Sequence, residues 1–295
     1  MNLSLGIFYA LTAGILWGIG PLLLKRGMTV SNVSAATLIE QYTAVLTMVV
    51  LAALSGELST SRLNAAAFWS FAAAGALGAS FGKIFYYKAI DKIGASKSTS
   101  IKNSSPILTV ILAFVLLGEE LTFPVVAGVA LIVSGIFVIS HVEAKGGARP
   151  GRMSYFLYPL LAAVCFGFNP IFKKIGIDSS AVPTLGALIT QSTALLVMLS
   201  AGRFLKIKPK WERVPTESLV LFVVAGMTEA FGSLFTFYAL IHAPTVIVSP
   251  VWRISPLVTF ALARATLKGI EVVTLRDGLA AAFIVGGVFV LAQGR

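Results

Sequence analysis

Ten runs of roughly 20 mostly apolar residues divide this sequence, at 4–24, 33–54, 65–87, 99–117, 123–141, 154–172, 182–201, 218–240, 245–263 and 277–293. A helix rising about 1.5 Å per residue needs about 20 such residues to cross the hydrocarbon of a bilayer. Ten of them leave only short connections within 295 residues, so no separate soluble domain fits. The runs are continuously apolar, as in LTVILAFVLL (108–117), which excludes the alternating pattern of a transmembrane β-strand. The first run has no basic leading segment and is too long for a signal peptide, so it is read as a span. The expected fold class is an all-α membrane protein with ten transmembrane helices. Composition agrees, with 57% AVILMFWYC and only 12% DEKR. A soluble domain carries about 25% charged residues. The net charge of +11 does not mark a nucleic-acid partner, because the bases sit in gaps between apolar runs rather than on a polar surface. A single Cys165 and the absence of CxxC and HExxH spacings give no disulfide framework and no metal site. No cofactor is expected.

The chain is a duplication. Trp17-Gly18-Ile19-Gly20-Pro21-Leu22-Leu23-Leu24-Lys25 aligns with Phe166-Gly167-Phe168-Asn169-Pro170-Ile171-Phe172-Lys173-Lys174. Gln41 answers Gln191, Met48 answers Met198, Phe81-Gly82 answers Phe231-Gly232, Ser105-Pro106 answers Ser255-Pro256, and Gly128 answers Gly278, all at offsets of 149 to 151. The repeats are expected at 1–144 and 152–295, with 145–151 as linker. Each half holds five spans, an odd number, so the second enters the membrane from the opposite side. Such inverted repeats are a hallmark of secondary transporters, whose substrate site lies near the midplane between the repeats.

Two five-helix halves, a WG-x-x-P-x-x-x-K pattern in the first helix, Ser-Pro in the fourth and LLGEELT (116–122) opening the fifth resemble the EamA type of the drug/metabolite transporter superfamily. The second half departs from the pattern, since Lys268-Gly269-Ile270-Glu271 only loosely echoes Gly118-Glu119-Glu120. The resemblance implies a ten-helix basket around a central cavity with alternating access, and it does not fix one substrate.

Ionisable side chains inside spans are costly and mark a pathway by default. Glu40, Lys83, Lys102, Glu229 and Arg253 qualify by position. At an offset of 150, Glu229 corresponds to Ala79 and Lys83 to Ser233, so equivalent helices carry opposite charges one turn apart on one face. If that face lines the cavity, Lys83 would take a substrate carboxylate, and Glu229 its amino group or a coupling proton. A Lys83–Glu229 salt bridge is the structural alternative. Of the aromatics nearby (Phe81, Phe85, Tyr86, Phe231, Phe235), Tyr86, one turn from Lys83, is the first candidate for the substrate site. Pro106 and Pro256 place Asn103-Ser104-Ser105 and Arg253-Ile254-Ser255 as irregular backbone, either cavity wall or packing kink.

The expected activity is secondary active transport, as export, of a small amphipathic metabolite such as an amino acid. The expected protein is a monomer or homodimer, multi-pass in the inner or plasma membrane. An alternative is exchange of phosphorylated metabolites or nucleotide sugars, with Lys102 and Arg253 clamping a phosphate from nearly equivalent points. In the phosphate-translocator relatives, the resemblance implies, bases on these two helices do so. A membrane scaffold or receptor is the non-transport alternative. No P-loop is present, and His141 and His242 pair with nothing obvious near span ends, so no enzyme is expected. Orientation is contested within the sequence. Of 23 Lys and Arg, only Arg62, Lys173, Lys174 and Arg295 fall on the side of the termini, which the positive-inside rule then places outside the cell. The family resemblance implies termini inside.

Overall fold

The computed structural model describes residues 2–59, 62–93, 98, 101–142, 153–204, 214–266 and 275–293. The expected linker and residues 268–271 lie outside the described residues. Each of the ten apolar runs is mainly helical where described, the fourth and ninth with a break at 103–104 and 253–254. The first half comprises α1 (Leu3–Gly27), α2 (Val33–Leu54), a rod of α3 (Ala65–Ala74), a π segment (Gly75–Gly82) and α4 (Lys83–Ile93), then α5 (Ser105–Leu117) and α6 (Phe123–Val142). The second comprises α7 (Leu157–Ser179), α8 (Pro183–Phe204), α9 (Thr216–His242), α10 (Thr245–Trp252), α11 (Ser255–Thr266) and α12 (Leu275–Gln293). Among the described residues six helices, including α1, α7 and α9, are long and apolar enough to cross a membrane, and the remaining apolar helices are shorter.

The starts of these helices follow from local chemistry. Asn2, Asn32 and Asn64 cap α1, α2 and α3, each side-chain oxygen accepting a backbone N–H three residues on. Two helices of the second half borrow their caps from the first. The Glu57 carboxylate accepts from Thr184 Oγ1 at 3.0 Å and Leu185 N at 2.9 Å, and Glu119 accepts from Thr245 N and Val246 N, both at 2.7 Å. A carboxylate at a helix N-terminus meets free N–H groups and the positive end of the dipole. Glu119→Ala is therefore expected to lower stability by about 1–2 kcal/mol. The exposed neighbour Glu120→Ala should leave it unchanged. Thermal unfolding in detergent checks both, and equal midpoints would remove Glu119 from the account.

Both Ser-Pro sites break their helices. At 103–104 and 253–254 the chain turns, held by short bonds such as Ser104 N to Ile101 O at 3.1 Å and Arg253 N to Pro250 O at 3.1 Å. Proline has no N–H to give to the preceding turn. Pro21 and Pro170, by contrast, lie inside the continuous helices α1 and α7.

The halves are related by an approximate two-fold axis, visible in paired contacts. α1 packs along α9, and its counterpart α7 packs along the α3–π–α4 rod; α2 meets α8, and α6 meets α12. A residue can touch its own counterpart only near the axis, and Gln41 Nε2 donates to Gln191 Oε1 at 2.9 Å. Gly27 sits on the Phe222 ring as Gly176 sits on Phe71. Gly226 lies against the Glu40 carbonyl as Gly75 lies against that of Thr190, and Gly232 lies under Trp17 as Gly82 lies under Phe166. Small residues at such crossings let membrane helices approach closely. One feature breaks the symmetry: the π segment has no equivalent in α9, which is regular α-helix throughout. Ser80 Oγ donates to Gly75 O at 3.0 Å and to Ala194 O at 3.2 Å, serving carbonyls within and beside that segment. The outer surface is apolar, with Leu46, Val115 and Phe289 each more than 60% exposed, as expected of a body in lipid rather than water.

Candidate functional site

Between the halves lies a cavity of about 210 Å³. The first half contributes Trp17 from α1, Gly78 and Ala79 from the π segment, and Lys83 at the start of α4. The second contributes Phe166, Asn169 and Lys173 from α7, Thr190 and Gln191 from α8, Glu229 and Ser233 from α9, and Trp252, Arg253 and Ser255 at the α10–α11 break. Lys83 and Glu229 thus reach the same cavity, and so do their counterparts Ser233 and Ala79. Equivalent faces of equivalent helices both contribute to the wall.

Of the other sequence candidates, Lys102, Tyr86 and Glu40 stand outside this lining. Lys102 Nζ lies 4.7 Å from the centre of the Tyr86 ring and 5.8 Å from that of Phe166. Arg253 lies over the same Phe166 ring at 5.8 Å, but only Arg253 of this pair lines the cavity. Glu40 is half-buried on α2, within electrostatic reach of both Lys83 and Glu229. Of the two irregular segments, only Arg253-Ile254-Ser255 contributes to the wall; Asn103, Ser104 and Ser105 do not. Phe81 and Phe231 are 42% and 37% exposed, so they face outward.

Lys173 is a correction. The sixth run reads as ending at 172, which places Lys173 among the loop bases on the side of the termini. The helix instead continues to Ser179, and Lys173 is buried in the cavity wall. Its Nζ donates to Thr236 Oγ1 at 3.0 Å and lies 5.7 Å and 5.0 Å from the ring centres of Trp17 and Phe237. The duplication carries the signal that could have found it, since Lys173 stands where the first half has the apolar Leu24. Its neighbour Lys174 pairs with the half-exposed Asp178 at 2.7 Å, as a base near a helix end should. Removing Lys173 from the loop count leaves the charge asymmetry in the same direction.

A polar chain crosses the axis into the cavity. Gln41 donates to Gln191 Oε1, and Gln191 Nε2 donates to Glu229 Oε1 at 3.3 Å. Asn169 Nδ2 donates to Ala74 O at 2.8 Å, tying α7 to the end of α3 where the π segment begins. Trp17 and Trp252, both in the lining, meet edge to face at 6.0 Å. The result is a small chamber lined by three cations, one carboxylate, amide groups and flat apolar rings. It suits a small solute that has both a charged and an apolar part.

No curated protein matches the chain. Among solved structures, 29 chains match. One, a crystal structure of a protein, superposes with a TM-score of 0.79 at 18% identity, over 98% of this chain and 96% of that one. At that identity the likeness shows the fold alone. The sequence model of the EamA-like transporter family matches twice, over residues 4–141 and again over 153–293. With both repeats matched and nearly the whole length covered, the chain belongs to the EamA-like transporter family.

Proposed function

We propose that the protein is a ten-span secondary transporter of the cell membrane that exports a small amphipathic metabolite of the amino-acid kind. The halves 1–144 and 152–295 rock against each other around the cavity. The observation that carries this reading is the meeting of Lys83 and Glu229, one from each half, in a single chamber between the repeats. Alternating access by relative motion of two repeats requires a site at their interface. The cavity is smaller than the roughly 300–1,000 Å³ of pockets for drug-sized ligands, which favours a small metabolite over a nucleotide sugar. Saturable counterflow in proteoliposomes tests it, with labelled amino acids in one arm and sugar phosphates in the other. Counterflow of sugar phosphates alone would favour the exchanger reading, and absence of any flux would leave a scaffold or receptor.

Lys102 separates the two transport readings. Its ammonium lies against the rings of Tyr86 and Phe166 outside the cavity lining. Lys102→Ala is therefore expected to leave amino-acid counterflow within about twofold, the scale of a substitution away from the site. Loss of transport in this variant would restore the phosphate clamp.

A further inference from the structure

We propose that Lys173 and Arg253, with the indole N–H of Trp17, form an anion subsite that takes a carboxylate of the cargo against a flat apolar wall. This rests on the transport reading and names the cargo's recognition element.

Lys173 is only 3% exposed. Of its three N–H donors, one meets Thr236, whose own hydroxyl donates to Ser233 O at 2.6 Å and so offers the lysine a lone pair. Among the described residues Arg253 gives one long bond, 3.4 Å from Nη2 to Phe166 O, and its buried Nε has no hydrogen-bond partner. Among the described residues neither cation has a carboxylate within ion-pair distance. Trp17 Nε1 and Ser233 Oγ are likewise buried without partners, and all four residues line one cavity. Buried polar groups in native proteins are paired, and buried charges without a counter-ion are strongly unfavourable. A negatively charged acceptor on the cargo supplies the partner that the described residues do not.

Charge decides its class. Lys173, Arg253 and Glu229 line one cavity and sum to one positive charge, with Lys83 set against Glu40. A monocarboxylate cancels it, whereas a dianionic phosphate reverses the sign. Lys83, the sequence candidate for this role, lies instead within reach of Glu40, which also feels Glu229. The walls beside the cations are the rings of Trp17, Trp252 and Phe166, so the adjoining part of the cargo is apolar and flat.

The test is a fluorescence titration of the protein in nanodiscs, read through the tryptophans of the cavity, with 3-phenylpropionate, phenethylamine and inorganic phosphate as probes. Saturable binding of 3-phenylpropionate is expected, with neither phenethylamine nor phosphate competing. Lys173→Met should weaken it on the order of tenfold or more, and Lys173→Arg much less. Lys173→Met should also raise the unfolding temperature of the empty protein, because it removes an unpaired buried charge, and a merely structural lysine would lower it. If Lys173→Met does not fold, Arg253→Gln carries the same affinity prediction. Absence of 3-phenylpropionate binding, equal affinity for phenethylamine, equal competition by phosphate, or unchanged affinity in the substituted protein would each overturn the subsite. Binding without counterflow of any solute would overturn the transport reading and leave the subsite standing; amino-acid counterflow without 3-phenylpropionate binding would do the reverse.

Discussion

Replacing Glu229 with glutamine should lower counterflow by on the order of a hundredfold while leaving the protein folded. Glutamine has nearly the same shape and keeps an oxygen to accept from Gln191 Nε2, so the Gln41–Gln191 chain that crosses the two-fold axis is retained. What is lost is the carboxylate that shares one small cavity with Lys83, Lys173 and Arg253. Removing one partner from a hydrogen-bonded, partly buried charge cluster costs on the order of 2–5 kcal/mol, or roughly thirtyfold to a few thousandfold in affinity. In a transporter this falls on every step that depends on cargo or proton at that carboxylate. Counterflow in proteoliposomes reads the loss, and an unchanged gel-filtration profile shows that it is not misfolding. Wild-type flux in Glu229→Gln would take this carboxylate off the transport path.

Gly226→Leu should yield no monodisperse protein at all. A Cβ on Gly226 would stand 2.5 Å from the Glu40 carbonyl oxygen and 2.6 Å from Thr43 Cβ. The obstacle is helix backbone, which cannot rotate aside as a side chain can. To admit leucine, α2 and α9 would have to separate along the seam that holds Glu40, Gln41 and Glu229. Even an extra methylene in a packed core costs about 1–3 kcal/mol. A whole leucine side chain pressed on backbone reaches on the order of 5 kcal/mol, comparable to a domain's total stability. Gly286 is the control, since nothing lies within 4 Å of a Cβ built there. Gly286→Leu should elute as the parent does, and equal behaviour of the two variants would refute the packing argument.

Most of the architecture could be read from the chain because bilayer thickness and duplication constrain it together. The apolar runs predicted the helices, and the match of Gln41 with Gln191 pointed to residues that meet near the axis. Of the site candidates, Lys83, Glu229 and Arg253 line the cavity, and Glu40, Tyr86 and Lys102 do not. Being inside a span restricts depth but not azimuth: a residue at the right height can face a neighbouring ring as easily as the chamber, as Lys102 does. Lys173 was missed for the converse reason. Two adjacent lysines look like the end of a span, yet Ile175, Gly176 and Ile177 continue the helix beyond them. The π segment left no mark in composition, because it depends on register between repeats rather than on residue type.

That register can be read from the paired contacts. Phe71 and Gly75 answer Phe222 and Gly226 at an offset of 151, but Gly82 answers Gly232 at 150. One more residue is therefore threaded between Gly75 and Gly82 than between their counterparts, and a π turn is how a helix absorbs a single insertion without disturbing what flanks it. The slack lies in the cavity wall at Gly78 and Ala79, just before Lys83. Two identical repeats could trade conformations and return the same molecule facing the other way. Here the trade would demand that regular helix and inserted turn change places, which the covalent chain forbids. Under the alternating access proposed above, the inward-open and outward-open forms would therefore be different structures with different energies, before any cargo or gradient acts on them.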